Sequence, residues 1–308
     1  MKNIRKLLLP ILAAIFALSL VACAQQEQIK FGTAGVGGNY YEFGQAFAEK
    51  VAPDAGVTIE VKETAGSAAN IRLLSGGYIQ LAIAQADMIE NNVDGFSAIA
   101  SLYTESCQIV AREDIETVPQ LRGKRVSIGE TESGTEANAH QILQAFGLSS
   151  GSVTEVNMSY AQASEAMKNG EIDAMFVTAG FPTAVIEDLA KSQKINLLPV
   201  TGEALANLTG SYDYYVEQVV PAGTYTGIDK PVPTVGVKSV LLASNKLSAQ
   251  TAYKLTKGLF AHADEITKAV PVDFKLTESS AVADVAIPFH EGAKQYYAEA
   301  GVQVPEGM

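Results

Sequence analysis

Residues 28–40 of the 308-residue chain read QIKFGTAGVGGNY, and the fold class can be inferred from this segment. Residues 28–32 are predicted to form a strand, and residues 32–39 form a glycine-rich loop. The next helix is predicted over residues 40–51, because apolar residues recur there at spacings of three and four. The residues on its apolar face are Tyr40, Phe43, Phe47 and Val51. A strand, a loop of small residues and an amphipathic helix together predict an α/β protein.

The same order of elements occurs twice along the chain. After the first helix, we predict a strand, a helix capped by Ser67, and an apolar strand; they cover residues 57–62, 68–74 and 79–84. The second copy is predicted as strand, polar loop, helix, strand, helix and strand; it covers residues 125–129, 131–136, 137–146, 153–158, 161–168 and 172–177. The sequence therefore predicts two βαβαβ halves. A long apolar run at residues 235–243 is expected to be a strand that crosses between the two lobes.

The N-terminus has the features of an exported lipoprotein. Basic residues precede a short apolar segment at residues 7–20, which ends in the sequence LVAC at residues 20–23. We predict that residues 1–22 are a signal peptide and that Cys23 becomes the lipid-modified first residue. Residues 23–28 then form the lipidated N-terminus and spacer. A transmembrane anchor is the alternative, but the segment is short and contains Pro10. The expected location is extracytoplasmic, with the lipid on Cys23 as the membrane attachment.

Composition limits the possible functions. The chain carries a net charge of −12 with 47% hydrophobic residues, so we expect a full globular core and no binding to nucleic acid. After Cys23 only Cys107 remains, so no internal disulfide is expected, and Cys107 is predicted to be a buried small hydrophobe. The three histidines are far apart in sequence, and no metal site or cofactor is predicted.

Two glycine- and serine-rich loops are the candidate binding elements. Residues 37–40 and 133–136 each open a helix directly after a strand, where unpaired backbone N–H groups and the helix dipole favour anions. In open α/β sheets, ligands bind beyond the carboxyl ends of the strands. The two loops facing each other across a cleft would suit a small carboxylate. A dinucleotide site, a P-loop and a GxSxG nucleophile are the alternatives. The glycine spacing does not fit a dinucleotide site, and the P-loop and GxSxG motifs are absent.

The sequence GTAGVGGNYY at residues 32–41 resembles the GTGGTGGTYYP signature of TAXI proteins, the solute-binding receptors of a subclass of TRAP transporters. Further similar segments run in the same order along nearly all of the chain from residue 23 onward. They include ETAGS at 63–67, LAIAQAD at 81–87, LRGKRVSIG at 121–129, SGTE at 133–136, IDAMFVTAG at 172–180, PAGTY at 221–225 and HEGA at 290–293. The signature is changed at Ala34, Val36, Asn39 and Glu42. The changes at Val36 and Asn39 bear on the identity of the solute, because these side chains are expected to face it.

The resemblance implies a two-lobed α/β fold, the type II periplasmic-binding-protein fold, with a ligand cleft between the lobes. We expect lobe I to comprise residues 29–112 and 232–308, and lobe II residues 113–231. The implied ligand is a small organic acid such as glutamate, 2-oxoglutarate or a C4-dicarboxylate. The implied partner is a TRAP-type membrane permease driven by an ion gradient, and the receptor is expected to be a monomer without a cofactor.

The expected ligand contacts come from both lobes. We expect backbone N–H donors and one wall of the cleft to come from Gly37, Gly38, Asn39 and Tyr40. Ser67 and Gln85 are expected to add hydrogen bonds from their side chains. A carboxylate of the ligand is expected to bind to Ser133, Gly134, Thr135 and Glu136. Thr178 and Gly180 are expected to lie nearby, on the hinge side. Glu136 could instead cap its own helix or accept a ligand amine, which keeps amino acids beside dicarboxylates as candidate ligands.

Three other functions use the same fold prediction. An exported enzyme is disfavoured, because no nucleophile motif, metal cluster or pair of catalytic carboxylates is recognisable. A surface interaction protein would not need a closed cleft. A sensor would report the solute to a membrane protein instead of feeding a transporter.

Overall fold

A computed structural model describes residues 26–89, 94–149, 151–272 and 274–305. The predicted signal peptide and the lipidation site at Cys23 lie outside these residues. The strands are β1 Glu27–Gly32, β2 Val57–Lys62, β3 Leu81–Gln85, β4 Phe96–Arg112, β5 Arg125–Ser127, β6 Thr154–Val156, β7 Ala174–Ala179, β8 Ile195–Leu197, β9 Val216–Val220 and β10 Val232–Ser244. The helices are α1 Asn39–Ala55, α2 Ser67–Ser75, α3 Ala86–Ile89, α4 Gly134–Ala145, α5 Tyr160–Lys168, α6 Ala184–Ser192, α7 Gly202–Ser211, α8 Ala249–Ala261, α9 Ala263–Ala269, α10 Glu278–Ala281 and α11 Glu291–Glu299.

The strands form one continuous sheet with two parallel ends and an antiparallel centre. Its order is β2-β1-β3-β10-β4-β7-β5-β6, with β8 paired to β4 and β9 paired to β10. Strands β2, β1 and β3 are parallel, as are β7, β5 and β6. In each parallel group the first strand of the half lies in the middle. The two predicted βαβαβ halves are therefore confirmed.

The buried residues form separate cores at the two ends of the sheet. The first core, which defines the first lobe here, surrounds Phe31, Phe43 and Phe47 and includes residues of α8 and α11. The second lobe contains two adjoining apolar clusters, one around Val126 and Ile142 and one around Val177 and Ile186. The two-lobed α/β architecture expected from the sequence is thus present.

Strands β4 and β10 run through both lobes. In β4, Tyr103 packs in the first core and Cys107 in the second; in β10, Val240 packs in the first core and Val237 in the second. The crossing strand predicted at residues 235–243 is confirmed as part of β10. Strand β4 was not predicted, because no Gly or Pro interrupts this segment to divide it into elements; only the burial of Cys107, which lies in β4, was predicted. Cys107 is 1% exposed, as expected.

The cap predicted for helix α2 is wrong. The helix begins at Ser67 and its N-cap is Gly66, which has a φ of +120° and provides no side-chain cap. The hydroxyl of Ser67 instead accepts a hydrogen bond from the backbone N–H of Gln85, at 3.1 Å. Ser67 therefore ties the start of α2 to the end of β3. Over the described ranges, no helix combines the length and apolar character needed to cross a bilayer.

Helices α8 and α11 pack closely enough to require a glycine. A Cβ at Gly292 would overlap the carbonyl oxygen of Ala249 and approach the backbone of Tyr253. We expect Gly292→Ala to lower the free energy of unfolding by about 1–3 kcal/mol, because the backbone of α8 cannot move aside without disturbing the core. Urea denaturation followed by circular dichroism measures this.

The matched control is Gly210→Ala in helix α7, where a Cβ would meet no atom within 4 Å. This substitution should stabilise the protein by about 0.5–1 kcal/mol, because alanine restricts the unfolded chain and favours the helix. A Gly292→Ala variant as stable as wild type would show that the two helices can separate without cost.

Candidate functional site

A cavity of about 150 Å³ lies between the two lobes. Residues at or shortly after the carboxyl end of each of the six parallel strands line it. They are Ala34 after β1, Glu63 after β2, Gln85 at the end of β3, Glu130 after β5, Met158 after β6 and Ala179 at the end of β7. The two parallel groups therefore present their carboxyl ends to one space. This is the position at which open α/β sheets bind ligands.

Four helices begin at the same cavity. The lining residues at their N-termini are Gly38, Asn39 and Tyr40 of α1, Gly66 and Ser67 of α2, Ser133, Gly134 and Thr135 of α4, and Ser159, Tyr160 and Ala161 of α5. The N–H groups of a first helical turn have no acceptor in their own helix, and the helix dipole places partial positive charge there. The cavity is thus surrounded by groups that can bind the negative end of a solute.

The contribution of α1 is fixed by two side chains. The amide of Asn39 donates to the carbonyl oxygen of Gly180 in the opposite lobe, at 2.9 Å. The hydroxyl of Tyr40 donates to Oε2 of Glu105, at 2.6 Å. Both side chains are buried, so they hold the start of α1 against the second lobe and against β4.

Helix α4 offers backbone N–H groups to the cavity, because the hydroxyl groups at its start are bound to other protein atoms. Ser133 is the N-cap and its hydroxyl accepts from the N–H of Glu136, at 3.0 Å. The hydroxyl of Thr135 lies 2.6 Å from that of Tyr160, which in turn donates to the carbonyl oxygen of Thr178. Because these hydroxyl groups bond to protein atoms, the N–H groups of Gly134 and Thr135 are the groups of α4 left to meet a solute.

The lobes touch where Gln85 faces Gly134. A Cβ at Gly134 would overlap Oε1 of Gln85, so only glycine permits this approach. The amide nitrogen of Gln85 donates to Oδ1 of Asn138, at 3.2 Å, and Asn138 also donates to Asp87 and Tyr215. The cavity is therefore closed on one side by a buried polar contact between β3 and α4.

All charged residues that line the cavity are acidic. They are Glu63, Glu105 and Glu130, and no Lys, Arg or His is among the lining residues. Glu105 is 3% exposed, and burial raises its pKa to about 8, although the hydrogen bonds from Tyr40 and Gln85 act in the opposite direction. Burial, together with the nearby charge of Glu63, also raises the pKa of Glu130. At neutral pH Glu105 is therefore mostly protonated.

Nine of the twelve residues predicted as ligand contacts line the cavity. They are Gly38, Asn39, Tyr40, Ser67, Gln85, Ser133, Gly134, Thr135 and Thr178. The other three lie outside the lining. Gly37 has a φ of +86° in the loop before α1, Glu136 accepts from Asn157 at 2.8 Å and from the N–H of Glu132, and Gly180 accepts from Asn39. Direct contact of all twelve with a solute stays a prediction.

Glu63, Glu105, Glu130 and Tyr160 also line the cavity, although they are not among the twelve predicted contacts. Glu105 lies in the middle of β4, and a glutamate in an apolar strand was a signal that could have marked it. Tyr160 opens α5, which is the counterpart of α2 in the second half. No group of three or more His, Cys, Asp or Glu side chains in the described part of the chain is arranged to hold a metal ion.

Comparison with solved structures defines the class of fold. Similar structures include a putative L-cystine ABC transporter protein from Listeria monocytogenes, with a TM-score of 0.52 and 13% identity over 81% of this chain and 98% of that one. The substrate-binding protein of an amino acid ABC transporter has a TM-score of 0.50 and 14% identity over 79% and 97%. An ancestral arginine-binding protein bound to arginine has a TM-score of 0.50 and 16% identity over 80% and 98%. The protein has the two-lobed periplasmic-binding-protein-like fold, and the predicted fold class is confirmed.

The family follows from a match that covers most of the chain. The model of the NMT1-like family matches residues 31–301, so the chain belongs to that family. This segment contains every element from α1 to α11. It also contains all of the residues that line the cavity.

The raised pKa of Glu105 predicts that the free energy of unfolding depends on pH. Its pKa is about 8 in the folded protein against an ordinary value of 4.5, so between these pH values the folded state holds a proton that the unfolded chain releases. The free energy of unfolding therefore falls as pH rises through this window. Between about pH 5 and about pH 8.5, the free energy of unfolding of Glu105→Gln should fall by about 2–5 kcal/mol less than that of wild type. Urea denaturation at intervals across this range measures the difference.

The exposed Glu116→Gln serves as the control and should keep the wild-type pH dependence. Glutamine retains an oxygen that can accept from Tyr40, so the variant is expected to fold. Identical slopes for wild type and Glu105→Gln would mean that Glu105 is ionised in the folded protein throughout this pH range.

Proposed function

We propose that this chain is a receptor that captures a small solute in the cleft between its lobes and delivers it to a membrane transporter. The observation that carries the proposal is the convergence of six strand ends and four helix N-termini on one cavity between the lobes. Such a site binds by hydrogen bonds and dipoles. The chemistry of its lining favours binding over catalysis, since Glu105 is held by Tyr40 and no Cys or His is among the lining residues.

The solute class follows from the charges around the cavity. The N-termini of α1 and α4 favour a carboxylate group, as the sequence predicted. The carboxylates of Glu63 and Glu130 lie in the same lining and repel a second negative charge. Within the predicted range of small organic acids and amino acids, we therefore favour an amino acid, whose ammonium group can face the glutamates, over 2-oxoglutarate and C4-dicarboxylates.

The transporter is proposed to be a TRAP-type permease of the TAXI subclass, because the loop sequence at residues 32–41 resembles that signature. An ABC-type transporter is the second candidate, since two of the structurally similar proteins are named as parts of ABC systems. Uptake of radiolabelled solute in cells distinguishes the two. A TRAP permease stops when the ion gradient is dissipated, whereas an ABC transporter stops when ATP is depleted.

The cellular arrangement completes the proposal. We propose an extracytoplasmic monomer attached to the membrane by lipid on Cys23, with two lobes close to the predicted residues 29–112 and 232–308 for lobe I and residues 113–231 for lobe II. The separate cores support two lobes, but Cys107 and Val237 pack in the second core, so the boundaries lie inside β4 and β10 and not at residues 112 and 232. A sensor with the same cleft would bind the same solute and differ only in its membrane partner.

The test is a thermal-shift screen of the full chain, refolded from denaturant to remove any bound solute. Amino acids, 2-oxo acids, dicarboxylates and sugars are compared. We expect an amino acid to raise the melting temperature most, because a ligand that binds only the native state stabilises it. A shift with dicarboxylates alone would refute the amino acid class. No shift with any compound would favour a surface interaction protein.

Gln85→Ala tests whether the response arises in this cavity. Loss of a side chain that hydrogen-bonds in the cavity should weaken solute binding by about 1–3 kcal/mol in isothermal titration calorimetry. Gln250→Ala is the matched control, because Gln250 is exposed at the start of α8 and remote from the cavity lining. Equal affinities for the two variants would place the binding site elsewhere.

A further inference from the structure

A contact between the lobes lies outside the cavity, at Glu132. Glu132 is in the loop before α4, in the second lobe, and it contacts helix α2 of the first lobe. Its backbone carbonyl oxygen accepts from the N–H of Ala69 at 3.1 Å. Its carboxylate accepts from Nε and Nη2 of Arg72 at 3.0 and 2.7 Å. Glu132 therefore contacts α2 twice, through its backbone at Ala69 in the first turn and through its side chain at Arg72 further along the helix.

The N–H of Ala69 has no acceptor within its own helix. The first hydrogen bond of α2 runs from the N–H of Asn70 to the carbonyl oxygen of Gly66, so the N–H of Ala69 lies before it. Gly66 has no side chain to act as a cap, and the hydroxyl of Ser67 accepts from Gln85 instead. The carbonyl oxygen of Glu132 thus supplies from the opposite lobe the cap that α2 lacks.

Glu132 holds an unusual backbone conformation. Its φ is +67°, in the left-handed region that residues other than glycine rarely adopt. The side chain of Glu136 supports this shape by accepting from the N–H of Glu132 at 3.0 Å and from Asn157 at 2.8 Å. Asn157 also donates to the carbonyl oxygen of Gly129, at 3.1 Å. The second lobe therefore builds the loop in the form that presents Glu132 to the first lobe.

We propose that Glu132 is a latch between the lobes, which holds the cleft closed and slows release of the solute without touching it. When the lobes separate, α2 loses its cap and Arg72 loses its carboxylate partner. Opening therefore costs the free energy of these two contacts. Neither Glu132 nor Arg72 lines the cavity. The inference rests on the proposed function, because the latch acts on a cleft that opens and closes around a solute.

The expected effect is modest because the ion pair is partly in water. The side chains of Arg72 and Glu132 are 59% and 44% exposed, so solvent and salt screen their attraction. We expect Glu132→Gln to raise the Kd for solute about two- to fivefold, through a faster dissociation rate. The double variant Arg72→Glu with Glu132→Arg should recover much of the wild-type affinity, since it restores opposite charges across the cleft.

The experiment uses the full chain with L-glutamine as the probe. Calorimetry gives Kd, stopped-flow fluorescence gives the dissociation rate, and small-angle X-ray scattering gives the radius of gyration without solute. The control is Glu165→Gln, which breaks an exposed ion pair of similar length, 2.7 Å to Lys168, within helix α5 alone. The control should keep the wild-type Kd, because its ion pair does not join the lobes.

Each outcome decides the proposal. A raised Kd and faster dissociation for Glu132→Gln, with recovery in the charge-reversed double variant, support the latch. A Kd equal to that of the control overturns it. If wild type does not bind L-glutamine, that result excludes only this amino acid as the solute; the thermal-shift screen tests the proposed class, and scattering decides the latch. A larger radius of gyration for solute-free Glu132→Gln than for wild type and the control supports it, and equal radii overturn it.

Discussion

Both lobes, and the cleft between them, are built on the antiparallel pairing of β4 with β10. The pairing runs from Phe96 with Ser244 to Ser106 with Gly236, and it carries the sheet from one core to the other. Gly236 is needed at one end, because a Cβ there would meet the carbonyl oxygen of Glu105 at 2.8 Å. Two register shifts along the pair mark irregularities in the ladder. Both lobes are attached to these two strands, so the cleft between them follows from the pairing.

The position of the cavity is a consequence of this arrangement. Each half places its parallel strands with their carboxyl ends toward the other half, and each helix that follows begins at that edge. The same geometry gives the cavity its electrostatic character. Helix N-termini supply partial positive charge, whereas Glu63 and Glu130 supply negative charge, and burial favours the protonated form of Glu105. This combination of charges is the basis of the proposed preference for a solute with both a negative and a positive group over a dianion.

Contacts across the cleft differ in their chemistry. Asn39 with Gly180 and Gln85 with Asn138 are buried hydrogen bonds close to the cavity, and removing one partner leaves a polar group unsatisfied. The contact of Glu132 with α2 is partly exposed, so in the proposed opening it would be exchanged for hydrogen bonds to water. A cleft built in this way combines firm contacts around the solute with a weaker one at its rim. Reversible closure requires such a balance, since a cleft held only by strong contacts would release its solute slowly.

The sequence was enough to predict the repeated βαβαβ pattern, because hydrophobic periodicity and the glycine-rich loops are local signals. It also located nine residues of the cavity lining, since loops that follow strands meet at one edge of a parallel sheet. Only the tertiary structure decided the extent of β4, the buried position of Glu105, and the use of Ser67 to bind Gln85 instead of capping α2. Each of these depends on groups far apart in sequence that meet when the two lobes fold along β4 and β10, and no local pattern records which distant atom a side chain will face.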